Sequence, residues 1–219
     1  MKRVISSFAI ATALVASPAF ADDIPETLKV DSSGVLPAGV TVKDVAGKDD
    51  PKATFKVQTI LSWNEGNGAN IAIFATTEKT GQKDGENWTS KALHVATYNV
   101  VGGTYKKVQT IIEAVQPCNL DLSARFIEGS VGLTNLDGDD KGELTFGYVT
   151  RCAGDMSPLS MKVLMLEGKD KHALRGSTLL NLGDGVVEGG DYKVDFKKAP
   201  KELVDHAKKV WESHKRTGF

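Results

Sequence analysis

The sequence predicts a mainly β domain of antiparallel hairpins, a sandwich or part of a propeller, ending in one amphipathic helix. Three observations carry this. Stretches of two-residue alternation recur, as in Phe55, Val57, Thr59 and Leu61 between Lys56, Gln58 and Ile60; this is the period of a strand with one buried face. Short Gly, Asn and Asp clusters separate the apolar stretches, and these are turn residues. No strand pattern alternates with helical ones in the βαβ manner, so a parallel nucleotide-binding sheet is not expected.

In chain order, residues 22–52 are rich in Pro, Gly, Asp and Lys and read as an extended lead-in, with at most a short strand around 40–45. The β-rich domain is expected over 53–199. Residues 55–61 and 71–77 form a first hairpin around Asn64-Glu65-Gly66-Asn67-Gly68. Residues 91–101 and 105–115 form a second around Gly102-Gly103, a strong two-residue turn signal. A third joins 124–134 to 143–152, and a fourth joins 161–167 to 171–178 around Gly168-Lys169-Asp170. A last strand is expected over 188–196. From Pro200 the period changes: Leu203, Val204, Ala207, Val210, Trp211 and His214 fall at helical spacing, predicting a helix over 200–217 that packs on the sheet through Trp211.

Residues 1–21 read as a cleavable export signal, with an N-terminal membrane anchor as the other reading. Met1-Lys2-Arg3 is basic, Val4 to Val15 is apolar and uncharged, and Ala19-Phe20-Ala21 offers small residues for cleavage. The apolar run is about a dozen residues, short of the ~20 that cross a bilayer. The expected working chain therefore starts at Asp22, in the periplasm or outside the cell, with no transmembrane segment. The 27 basic and 28 acidic residues leave a net charge of −1 with no basic tract, which argues against a nucleic-acid partner. In an oxidising compartment Cys118 and Cys152 are expected to pair. A bridge closing a loop of about 34 residues is worth roughly 3–4 kcal/mol in the loop-entropy picture.

The most specific chemical signal is the loop Asn135-Leu136-Asp137-Gly138-Asp139-Asp140-Lys141-Gly142-Glu143. Asn135, Asp137, Asp139 and Glu143 place side-chain oxygens at loop positions one, three, five and nine, with the Lys141 carbonyl at position seven. Calcium takes six to eight oxygens, and alternate residues of a tight loop can turn theirs to one point. The other reading is a polar turn whose acids are simply solvated. The loop resembles the calcium-binding β-hairpin of integrin-propeller and related bacterial repeats. Two positions depart from that pattern: Asn135 drops a charge, and Asp140 stands where a glycine is usual. The resemblance implies a structural calcium ion rather than a catalytic one. The wider run from Pro117-Cys118 through Asp155, Ser157-Pro158 and Leu166-Glu167-Gly168 to Arg175-Gly176 is similar to a family of poorly characterised exported bacterial proteins, some labelled surface-polysaccharide-related. That likeness implies compartment and architecture, and no activity.

Other constellations point to ordinary structure. His94, His172, His206 and His214 have no metal-ligand spacing, and Ser130 lies in no nucleophile elbow. Arg151 and Asp155 are placed to brace a turn beside Cys152. Glu113, Glu128, Glu167 and Glu188 are acids without an evident pairing, and Trp63 and Trp88 lie beside turns where an aromatic face can meet a sugar. Two functions follow as expectations. The first is an exported, non-catalytic binding or structural protein of the envelope, acting on an envelope component or glycan and stabilised by calcium and the disulfide. The alternative is a small periplasmic hydrolase of a glycan or envelope polymer, which requires two acids facing each other in a cleft near Trp63 or Trp88.

Overall fold

Alternating strands with a buried face need a second layer against that face, and here two sheets supply it to each other. The structure, a computed structural model, describes residues 28–66, 68–139 and 141–216. The expected export signal at residues 1–21 lies outside the described residues, as does Asp140. The strands are β1 (Lys29–Asp31), β2 (Thr54–Glu65), β3 (Gly68–Lys83), β4 (Glu86–Val101), β5 (Thr104–Cys118), β6 (Asp121–Phe126), β7 (Gly132–Thr134), β8 (Glu143–Ala153), β9 (Ser160–Glu167), β10 (Asp170–Ser177), β11 (Leu179–Gly183), β12 (Val186–Gly189) and β13 (Tyr192–Asp195). The helices are α1 (Val42–Ala46) and α2 (Lys201–His214). The first sheet is an antiparallel meander in the order β1-β2-β3-β4-β5, and the second runs β13-β10-β9-β8-β6 with β7 also on β8. Strands β11 and β12 form a separate two-stranded arm.

The inner faces meet in a core of Leu61, Ala72, Phe74, Leu93 and Val95 from the first sheet against Phe126, Leu133, Phe146 and Leu164 from the second. Phe74 packs edge-on against both Phe126 and Phe146, at 5.2 and 5.3 Å between ring centroids. A polar clasp also spans the sheets. Lys162 on β9 lies 2.7 Å from the Glu113 carboxylate on β5, which accepts the Tyr148 hydroxyl proton at 2.9 Å. Cys118 and Cys152 form the disulfide, tying the end of β5 to β8 across the two sheets.

The outer faces carry their own covers. Leu36, Val40 and Val45 lie on Val57, Ile60, Ile71, Ile73 and Tyr98 of the first sheet. On the second sheet, Ala207, Val210 and Trp211 of α2 lie on Val149, Met161, Val163 and Leu174. The molecule is thus a sandwich with one helical element outside each sheet.

Several elements differ from the sequence expectation. Residues 40–45 form no strand; α1 is a helix there. Thr41 accepts the Asp44 backbone N–H and Asp44 accepts that of Thr41, a reciprocal cap, and Gly47 closes the helix at φ 77°. Residues 124–134 are not one strand. Between β6 and β7 the chain lifts over Gly147, whose N–H donates to the buried Ser130 hydroxyl at 2.8 Å, while Ile127 N–H donates to the Gly147 carbonyl. A Cβ on Gly147 would lie 3.1 Å from Ile127, so glycine permits the crossing. The strand expected over 188–196 breaks at Gly189 and Gly190, both at positive φ, into β12 and β13.

Candidate functional site

Register decides where the first sheet's outer face is hollow. Phe55, Thr77, Ala92 and Ala114 stand opposite one another across β2, β3, β4 and β5. The next row is Val57, Ala75, His94 and Ile112. Three neighbouring floor positions, Thr77, Ala92 and Ala114, carry small side chains, so the cover cannot reach the sheet there. The result is a cavity of about 770 Å³. Its roof is the segment from Ala46 to Ala53, and its walls include Phe55, Trp88, Ile112, Val115 and Pro117. That volume lies inside the range of small-molecule sites, roughly 300–1,000 Å³.

Each wall has a local cause. Trp88 stands opposite Gly81, and a Cβ on Gly81 would sit 2.3 Å from the indole, so the ring lies against bare backbone. At the other side the roof meets the wall: a Cβ on Gly47 would contact Ile112 Cδ1 at 3.5 Å. The roof is fastened by Asp50, whose carboxylate pairs with Lys79 on β3 at 3.0 Å and accepts the Lys52 backbone N–H. The Lys79 hydrogen bond, followed by that of Lys52, holds the Asp50 carboxyl below the usual carboxylate range.

His94 is the polar group of the floor. It is 3 % exposed, and its Nε2 is 2.9 Å from the Thr77 hydroxyl. Its Nδ1 is buried with no hydrogen-bond partner among the described residues. Burial, with a smaller contribution from the Lys48 charge, lowers its pKa to about 4, so the imidazole is neutral near pH 7. Three lysines line the cavity, Lys48, Lys79 and Lys91, against two acids, Asp49 and Asp50. Both acids belong to the roof loop, so the cavity does not hold two carboxylates on opposite walls.

The acidic loop lies elsewhere, at the end of the sandwich. Glu143 is fully buried and accepts the Thr134 hydroxyl at 2.7 Å and the Leu136 backbone N–H at 3.0 Å. Burial raises its pKa. Asn135 accepts the Gly138 N–H, Asp137 the Asp139 N–H, and Asp139 the Lys141 N–H. The Lys141 ammonium pairs with Asp139 and, at 3.0 Å, with Glu167. The loop is joined to the first sheet by Glu65, which accepts both the Trp63 indole N–H and the Gly142 N–H. Among the described residues no group of three or more His, Cys, Asp or Glu side chains is placed to hold a metal ion. A smaller cavity of about 260 Å³ lies beside this loop, between Trp63, Asn70, Asn99 and Lys141.

The remaining candidates are dispersed. Trp63 is 7 % exposed, packed in the inter-sheet core, and its remaining surface lines the smaller cavity beside the acidic loop. Arg151 pairs with Asp155 at 3.4 Å and donates to the Ser157 carbonyl, which braces the turn after β8. Arg175 pairs with Asp195. His172 stacks on Phe196, and His214 bonds the Val210 carbonyl. Glu113 and Glu167 are engaged by Lys162 and Lys141, while Glu128 and Glu188 are exposed on other segments. Nothing in the composition of the lead-in marks it as the roof of a cavity. Its one signal was the Thr41–Asp44 cap. Comparison with known protein families, curated proteins and solved structures gives no match.

Proposed function

We propose that this chain is an exported, non-catalytic binding protein, and that its ligand is a small apolar or amphiphilic component of the envelope held over the outer face of the first sheet. One observation carries the proposal: a cavity of about 770 Å³ whose largely apolar walls include Phe55, Trp88, Ile112, Val115 and Pro117. The walls offer aromatic and aliphatic surface, with the polar side chains of Asp49, Asp50, Gln116 and the three lysines among them. Export is supported by the pattern of residues 1–21 and by the disulfide.

The test is binding of N-phenyl-1-naphthylamine, an apolar fluorophore, to the oxidised protein. One saturable site is expected. Ala92→Phe fills the middle of the floor and should abolish that site while leaving the melting temperature within a few degrees. Equal probe binding by the parent and the Ala92→Phe protein would refute the assignment.

Calcium at Asn135, Asp137, Asp139, the Lys141 carbonyl and Glu143 stands as a proposal of its own, for a structural ion, supported by the spacing of those oxygens. Binding there requires Asp139 to leave the Lys141 ammonium. Melting should then rise with calcium and fall with chelator, and Asp137→Ala with Asp139→Ala should remove the difference. Superimposable melting curves with and without calcium would rule the ion out.

A further inference from the structure

We infer that the smaller cavity, beside the acidic loop at the end of the sandwich, is a binding site for one sugar ring, separate from the apolar cavity. The geometry comes from register. On the inner face of the first sheet Trp63, Asn70 and Asn99 stand opposite one another across β2, β3 and β4, one row beyond Leu61, Ala72 and Thr97. The apolar core thus ends in a row of one indole and two amides. Two ties close this end against the second sheet. Glu65 accepts the Gly142 N–H at 2.9 Å, and Gln109 donates to the Gly168 carbonyl at 2.7 Å. Gly142 and Gly168 both line the cavity, whose volume is about 260 Å³. That lies below the roughly 300–1,000 Å³ of drug-sized sites and suits a single ring.

The lining keeps hydrogen-bonding capacity of both kinds. Asn99 donates one amide N–H to the Asn70 carbonyl, and Asn70 donates one of its own to the Gly68 carbonyl. A primary amide carries two N–H donors and a carbonyl. Among the described residues each amide therefore keeps one N–H, and Asn99 keeps its carbonyl. Thr97, 8 % exposed, also lines the cavity, and its buried hydroxyl has no hydrogen-bond partner among the described residues. The charged groups are engaged by the protein: Glu65 accepts the Trp63 and Gly142 N–H groups, Lys141 pairs with Asp139 and Glu167, and Lys169 is exposed beside Asp170. What the cavity can read is thus a set of hydroxyls. A pyranose matches it, because each hydroxyl both donates and accepts, and its ring C–H groups can lie on Leu144, Leu166 and the remaining surface of Trp63. An apolar molecule would cover two amides and a hydroxyl without bonding them, which costs affinity.

The experiment follows the side-chain amides of Asn70 and Asn99 in nitrogen–proton correlation spectra of the oxidised protein. Methyl α-D-glucopyranoside, methyl α-D-galactopyranoside, methyl α-D-mannopyranoside and cyclohexanol are titrated in turn. At least one glycoside should shift both amides and saturate in the millimolar range. Cyclohexanol should bind about twentyfold more weakly, since each neutral hydrogen bond is worth about fivefold and at least two are lost. Thr97→Val removes the unpartnered hydroxyl with little change of shape, so it should melt no lower than the parent and weaken the glycoside about fivefold. Asn99→Leu removes an N–H and a carbonyl and should weaken it about twentyfold. Neither residue lines the apolar cavity, so both variants should bind N-phenyl-1-naphthylamine as the parent does, and failure here is distinct from failure there. Unshifted amides with every glycoside at about 50 mM, well above a millimolar Kd, overturn the site. So does equal affinity for cyclohexanol and the glycosides, or parent-like glycoside affinity in Thr97→Val and Asn99→Leu.

Discussion

The two outer faces of the sandwich answer the same physical problem in opposite ways. On the second sheet, the 14-residue helix α2 buries Leu203, Ala207, Val210 and Trp211, the last three packed on Val149, Met161, Val163 and Leu174. Trp211 reaches the Gly190 carbonyl with its indole N–H and packs on Tyr192 at 5.1 Å. That face is sealed. On the first sheet the cover is the five-residue α1 and a loop, and α1 buries only Val45 and Ala46. Half of that face is packed through Val40 and Val45, and the other half stands over small residues. Interiors pack like organic crystals and leave few voids larger than a water. The first sheet thus keeps a hollow of about 770 Å³ on its outer face, where α2 packs against the outer face of the second.

The contrast is broken most severely at the sealed face. Trp211→Ala should cost about 3–5 kcal/mol, as for other buried aromatic truncations. Ile112, on the cavity wall, is 49 % exposed, so Ile112→Ala should cost under about 1 kcal/mol and weaken fluorophore binding instead. Urea unfolding of the two variants separates stability from binding. Similar losses of stability at both positions would remove the distinction.

The next effect is on the tie between the faces. Cys118 and Cys152, 34 residues apart, join β5 to β8, and Pro117 beside Cys118 lines the cavity. Reduction should lower unfolding stability by roughly 3–4 kcal/mol. It should also weaken binding at the open face before it loosens the α2 face, read by fluorophore affinity and by amide exchange of α2. Uniform loosening would indicate that the bridge stabilises the sandwich without shaping the cavity.

A smaller effect comes from His94 beneath the cavity. Its folded pKa is depressed from 6.5 to about 4. An unfolded chain takes up this proton below about pH 6.5, and the folded chain refuses it. The stability owed to neutral His94 is complete above that pH, falls as pH drops, and is lost by about pH 4, amounting to about 2–3 kcal/mol. His206, lowered by burial, adds a loss of the same sign. Glu143, raised by burial, opposes it by binding a proton earlier when folded. The comparison is therefore between the parent and His94→Gln, whose unfolding free energy should change less between pH 6.5 and 4. Parallel pH profiles would refute it.

The sealed face was legible in the sequence and the open face was not. Helical spacing from Leu203 to Trp211 needs only local order to be read, and the Gly102-Gly103 hairpin fixes itself through two glycines at positive φ. The cavity has no such local signature. Thr77, Ala92 and Ala114 lie on three strands and become neighbours only through register, which includes irregular steps between Val57 and Thr59 and between Thr89 and Lys91. The acidic loop shows the converse. Its spacing was conspicuous, but its oxygens are met by the loop's own N–H groups and by Lys141, and that pairing depends on where the backbone turns.

The smallest change in stability should come with a clear change at the site. Gly81 is not at positive φ, so alanine is allowed there, and its lower unfolded-state entropy offers about 0.4–1 kcal/mol. Against this, the new methyl would sit 2.3 Å from the Trp88 ring, which must swing away from the sheet. The two effects oppose each other, so Gly81→Ala should melt within a few degrees of the parent. Trp63 and Trp211 are buried in the two cores, so the emission change should come from Trp88 alone and shift to the red as the ring gains water. Fluorophore affinity should fall with it, because the displaced indole was the wall. Unchanged emission and unchanged affinity would show that Trp88 is no part of the cavity's binding surface, and the open face would lose its aromatic wall.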